Sequence, residues 1–137
     1  MSGPRVTSGA GRALVAVYGL LAVAATARSL VQVLRDLDRA PVAYLLSAFA
    51  ALVYVVATLA LARTGPRARR VAWVAVTIEM VGVVVVGTLS LLVPSLFPEP
   101  TVWSTFGAGY GFVPLVLPGL GLLWLRRTSS VPAEPRR

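Results

Sequence analysis

Four apolar stretches, residues 13–34, 42–62, 71–93 and 102–125, divide this 137-residue chain and limit what it can fold into. Each is about as long as the ~20 mostly apolar residues a helix needs to cross the ~30 Å hydrocarbon core of a bilayer. Only 13% of the residues are charged, where a soluble domain carries ~25%. The pattern predicts an all-α protein, a transmembrane four-helix up-down bundle with short connections between antiparallel neighbours. Residues 1–12 read as a flexible leader and residues 126–137 as a disordered basic tail.

The arginines set the orientation. All thirteen basic residues are arginine, and ten of them flank one side of the spans: Arg5, Arg12, Arg63, Arg67, Arg69, Arg70, Arg126, Arg127, Arg136 and Arg137. The other side has Arg28, Arg35 and Arg39, with Asp36 and Asp38 beside them. The positive-inside rule then puts both termini in the cytoplasm of a multi-pass plasma-membrane protein. Trp73 and Trp124 fall near the inner boundary and Trp103 near the outer one, as an aromatic belt requires. A cleaved secretory signal competes for the first span, because Ala25-Thr26-Ala27 resembles a cleavage site. Apolar residues resume at Leu30, Val31, Val33 and Leu34 and carry that helix to spanning length. In the connections, Asp38 can cap the second span, Pro41 suits a first helical turn, and Thr64-Gly65-Pro66 ends that span.

Composition removes several chemistries. Histidine, cysteine and lysine are absent, which excludes disulfides, thiol nucleophiles and His- or Cys-based metal sites. No metal and no cofactor is expected, and no nucleophile triad, carboxylate pair or phosphate loop points to an enzyme. The net charge of +8 would suit nucleic acid, but arginines clustered at span ends read as topology signals and headgroup contacts. The expected partners are the lipid bilayer and, in addition, other membrane proteins or a second copy.

Glu79 is the leading candidate for a role, since a carboxyl near the middle of a spanning helix costs on the order of 3 kcal/mol on insertion scales. It lies nine residues into the third span, ~12 Å from the inner boundary. Ala72, Ala75, Glu79 and Gly82 share one face, a small-residue stripe that lets a neighbour approach and turns the carboxyl inward. The first span has its own stripe: Tyr18, Ala22, Ala25, Ser29 and Gln32. Tyr54 falls at a depth similar to Glu79 and Tyr18 about 3 Å nearer the cytoplasm, so either hydroxyl could meet the carboxyl. Arg28 lies ~12 Å further out and is expected at the outer headgroups or beside Asp36 or Asp38. Two readings of Glu79 follow, a hydrogen-bonded structural clasp in neutral form and a proton or substrate site.

The fourth span is irregular. Pro114 and Pro118 each remove a helical hydrogen bond, which would free the carbonyls of Tyr110 and Pro114 in an otherwise continuous helix. Tyr110, Pro114 and Pro118 thus mark a candidate helix break, read either as a packed kink or as part of a substrate path. Gly109-Tyr110-Gly111 has the letters of a potassium filter. The coordinating threonine is missing, and Pro98 and Pro100 occupy the place of a pore helix.

The segments Ala24-Ala25-Thr26-Ala27-Arg28-Ser29 with Ala40-Pro41-Val42-Ala43-Tyr44, and Val102-Trp103-Ser104 with Gly109-Tyr110-Gly111-Phe112-Val113-Pro114-Leu115, resemble small four-span integral membrane proteins of high-GC Gram-positive (actinobacterial) bacteria. That resemblance implies fold and location only. Small multidrug-resistance transporters share the length, four spans and one membrane glutamate, but theirs is in the first span, so the likeness is physical. Two functions are therefore expected of the chain: a structural or accessory membrane component, or a small proton-coupled transporter that uses Glu79.

Overall fold

In the computed structural model, which describes residues 9–129, the chain is all-α and shows no strand among those residues. The helices are α1 (Gly9–Asp36), α2 (Pro41–Ala62), α3 (Pro66–Leu92) and α4 (Val113–Ser129). Most of the expected leader and tail, residues 1–8 and 130–137, lies outside the described residues. Three helices are long and apolar enough to cross a membrane, and a fourth crossing exists if the bent pair Ser104–Tyr110 and Val113–Thr128 forms one span. Large apolar side chains point outward from them, among them Leu20, Val23, Leu34 and Leu92, each at least 70% exposed. Such a surface suits hydrocarbon as its solvent.

Local chemistry explains the helix ends. Pro41 and Pro66 each sit in a first turn, where a missing N–H is no loss. Gly65 takes φ 109°, which a side chain would strain, and so turns the chain from α2 into α3. Two expectations need correction here. Asp38 does not cap α2; it lies in the 3₁₀ turn Leu37–Arg39, and the cap residue Ala40 makes no side-chain bond. α3 starts at Pro66, so Arg67, Arg69 and Arg70 belong to its first turns and not to a loop. In α1, residues 9–12, expected to belong to the leader, are already helical.

Small residues form the core. Ala25, Ala57 and Val76 are fully buried, with Ala22, Ala50, Ala72 and Ala75 nearly so. Where lipid is as apolar as leucine, close backbone approach and dispersion contacts are what hold helices together. Two polar ties fix the ends of the bundle. Arg39 pairs with Glu99 at 2.9 Å and joins the 37–40 and 93–101 connections. At the other end, Arg69 donates to the Leu125 carbonyl and to Thr128 Oγ1, so a cation satisfies the last turn of α4.

The fourth span departs most from expectation. Residues 102–125 are not one helix: 3₁₀ turns over Ser104–Tyr110 meet α4 at 99°. The bend falls at residues 111–112, between Tyr110 and Pro114, two of the three residues marked as a candidate break. Thr105, Phe106 and Gly107 have φ of 52°, 59° and 84°, and Phe112 has φ 61°, all left-handed and all upstream of Pro114. Pro114 falls in the first turn of α4, so there is no upstream helix in which Tyr110 could lose a bond. Pro118 is the one proline inside the helix.

A buried acid–aromatic cluster under a folded-back segment

Tyr18, Tyr54 and Glu79 come from three helices and meet in the core. Each is 0% exposed. The Tyr18 hydroxyl donates to Glu79 Oε1 at 2.6 Å, which joins α1 to α3 across the bundle. Glu79 Oε2 is buried with no partner among the described residues. The Tyr18 and Tyr54 rings pack at 6.4 Å between centroids. Tyr54 does not bond the carboxyl; its hydroxyl accepts from Trp103 Nε1 at 2.8 Å. Of the two hydroxyls the sequence offers Glu79, the fold uses Tyr18.

Trp103 is the residue the sequence reading misplaced. It is no interfacial belt residue but 2% exposed, in edge contact with both Phe49 and Tyr54. It reaches this depth because residues 101–112 fold back between the helices. Its six-membered ring lies over Gly82, where a Cβ would come within 2.4 Å. Gly82 is ten residues before the end of α3, hence ~15 Å below it. Phe106 covers Gly87 in the same way. On the far side, a Cβ at Gly121 would stand 3.3 Å from the Tyr18 hydroxyl, so the glycine lets α4 close over the Tyr18–Glu79 bond.

Irregular backbone at this depth must find its own hydrogen-bond partners. Side chains supply them. Val102 N–H donates to Ser47 Oγ on α2 and Thr105 N–H to Ser90 Oγ on α3. Within the segment, Thr101 N–H donates to Ser104 Oγ and Trp103 N–H to Thr101 Oγ1. The readable sign of this was Thr101-Val102-Trp103-Ser104, whose two hydroxyls can bond local amides and compete with a helix.

Arg28 reaches the folded-back segment and neither aspartate. Its guanidinium points at the Tyr110 hydroxyl and the Pro100 carbonyl at 3.5 and 3.4 Å, both long contacts. Tyr110 is half-buried on that segment, and the rings of Pro114 and Pro118 are buried among the helices. The structure thus gathers Tyr18, Tyr54 and Glu79, and leaves Arg28 and Tyr110 as a second, looser group nearer the 93–101 connection.

The cluster has one carboxyl, two phenols and an indole. It can hold a proton and tie three helices and the folded-back segment together. Among the described residues, no three acidic side chains form a metal-binding group. Tyr18→Phe would leave both carboxyl oxygens bare, yet hydrogen bonds between membrane helices average only ~0.6 kcal/mol and reach ~1.7. A loss of about 1 kcal/mol is expected in denaturant titrations of the detergent-solubilised protein. A loss several times larger would mean that Tyr18 holds more than this one bond. Compared with protein-family models, curated proteins and solved structures, the chain matches none.

Proposed function

We propose that the chain is a multi-pass plasma-membrane protein of structural or accessory type, with four crossings in up-down order and both termini in the cytoplasm. The observation that carries this reading is the sealed cluster. Glu79 is 0% exposed, with the Tyr18 hydroxyl on its carboxyl and Gly121 of α4 close against that hydroxyl. A carboxyl closed in by Tyr18, α4 and the Trp103 segment acts as a clasp that sets helix order. The ten-to-three division of arginines supports the orientation. Kinship with the actinobacterial four-span proteins is part of the same proposal and rests on the quoted segments.

Carbodiimide labelling of the intact protein across pH, with Glu79→Gln as control, tests the clasp. The expected result is no modification of Glu79 in the folded protein and ready modification once it is unfolded. Fast labelling of the folded protein, lost in Glu79→Gln, would overturn it. Orientation is checked separately by single cysteines near Ser8 and Thr128, which should react only from the cytoplasmic side.

The second reading is a small proton-coupled transporter, favoured by the unpartnered Glu79 Oε2. A transported proton or cation would need that oxygen. Its test is flux in proteoliposomes, where rates unchanged by Glu79→Gln would remove it.

A further inference from the structure

A groove on the outer surface of the bundle, between α2 and α3, has a volume of about 370 Å3 and plays no part in the cluster. Phe49, Leu52 and Val56 wall it on one side and Val71, Val74 and Ile78 on the other, and all of these but Val56 are exposed. Arg70 is the one charged residue along it. Side chains on a helix lean toward its N-terminus, so the Arg70 stem walls the groove and its guanidinium leads toward the end where α3 begins. Arg67 lies on the same face one turn before Val71, and Arg63 follows the last turn of α2 at that end. All three arginines are exposed, and none of their side chains has a hydrogen bond or ion pair among the described residues. Arg70 to Ile78 spans eight residues of α3, ~12 Å of rise, and half of a ~30 Å hydrocarbon core is one leaflet. The groove is therefore an apolar slot most of a leaflet deep, with three unengaged cations around one end.

We propose that this groove binds an anionic phospholipid, with one acyl chain lying along it and Arg70 holding the phosphate. Charge complementarity selects the occupant. A guanidinium fork matches phosphate oxygens in pairs, and Arg63 and Arg67 add positive charge beside it. A second copy docked side by side in the same orientation would set these arginines against their own image. The rest of the chain offers no net counter-charge: residues 1–8 carry Arg5, and residues 130–137 carry Glu134 against Arg136 and Arg137. The inference rests on the membrane-spanning reading but not on which compartment the arginines face.

Ile78→Trp places a reporter at the deep end of the slot, at an exposed position beside the middle of a bound chain. The full chain is reconstituted into phosphatidylcholine vesicles that contain either acyl-brominated phosphatidylglycerol or acyl-brominated phosphatidylcholine. Bromine quenches indole emission on contact, and the protein with Ile78 intact supplies the signal of the three native tryptophans to be subtracted. The anionic lipid is expected to quench the reporter at about fivefold lower mole fraction, the preference one arginine contact confers near a membrane surface. Arg70→Gln should remove most of that preference while leaving quenching by phosphatidylcholine intact, which also shows that the variant is folded. Arg12→Gln removes the same charge at the same end of the bundle but on α1, away from the groove, and should keep the preference. Equal quenching by the two lipids, a preference unchanged by Arg70→Gln, or an equal loss with Arg12→Gln, which would mean diffuse attraction only, would each overturn the proposal. Those outcomes leave the membrane-spanning reading standing, whereas no quenching by either lipid would remove both.

Discussion

Trp103→Ala is expected to lower the stability of the detergent-solubilised protein by about 3 kcal/mol, more than any other single truncation in the core. In water-soluble cores, Trp→Ala costs about 3–5 kcal/mol, part of it lost transfer free energy and part the cavity left behind. Here the transfer part shrinks, because a released ring would move into lipid or detergent and not into water. The cavity part stays whole. The ring is 2% exposed and fills the space between Phe49, Tyr54 and Gly82. Trp103→Phe keeps most of that volume and loses the bond to Tyr54, so about 1 kcal/mol is expected for it. The contrast between the two variants separates packing from hydrogen bonding. Denaturant titration gives the stabilities, and limited proteolysis should show cleavage within 101–112 in the alanine variant alone. Equal losses for alanine and phenylalanine would mean that the ring does not hold the segment.

Gly82→Ala carries the second-largest expectation, a loss of about 2 kcal/mol. In an exposed helix this change would gain up to about 1 kcal/mol, since glycine is the poorer helix former. The added methyl, however, would come within 2.4 Å of the Trp103 ring. A tilt of the ring away from it would break the 2.8 Å bond to Tyr54 and crowd Phe49. The clash outweighs the propensity, and the sign is destabilising. Pairing Gly82→Ala with Trp103→Phe should cost less than the sum of the two, because the smaller ring leaves room for the methyl. Additive losses in that cycle would place the strain elsewhere. Gly87→Ala offers a milder case, since Phe106 is half-buried and has more room to shift.

Much of the helical frame is legible in the residues. The predicted 42–62 span lies within one residue of α2 (Pro41–Ala62), and 13–34 and 71–93 fall almost wholly within α1 and α3. Of the stripe Tyr18, Ala22, Ala25, Ser29 and Gln32 all but the half-buried Gln32 are buried, and of Ala72, Ala75, Glu79 and Gly82 all but the half-buried Gly82. Both follow from periodicity, because a side chain every three or four residues returns to the same face whatever lies opposite. The choice between Tyr18 and Tyr54 as partner of Glu79 was not legible. It depends on how far one helix slides and turns against another, and composition carries no measure of that.

The folded-back segment shows the same limit more plainly. Val102 to Leu125 is apolar enough to be taken for a single crossing; of the residues marked as a candidate break, Tyr110 and Pro114 flank the 99° bend at 111–112, while Pro118 lies inside α4. The turn occurs at Thr105–Gly107 and again at Gly111–Phe112. Left-handed backbone at Thr105, Phe106 and Phe112 costs roughly 1–2 kcal/mol per residue. Local preference would not choose it. The segment adopts it because Trp103 and Phe106 then find glycine hollows on α3, and Ser47 and Ser90 satisfy amides that a helix would otherwise have bonded internally.

The chain alone therefore determined that it is helical, where three of its long helices run, and which faces turn inward, because each of those depends on residues close together along one helix. The tertiary structure decided that Trp103 enters the core, that Glu79 takes its one bond from Tyr18, and that the fourth stretch breaks. Each of those outcomes is a contact between residues from different helices, favoured only once the other helices are in place to receive it.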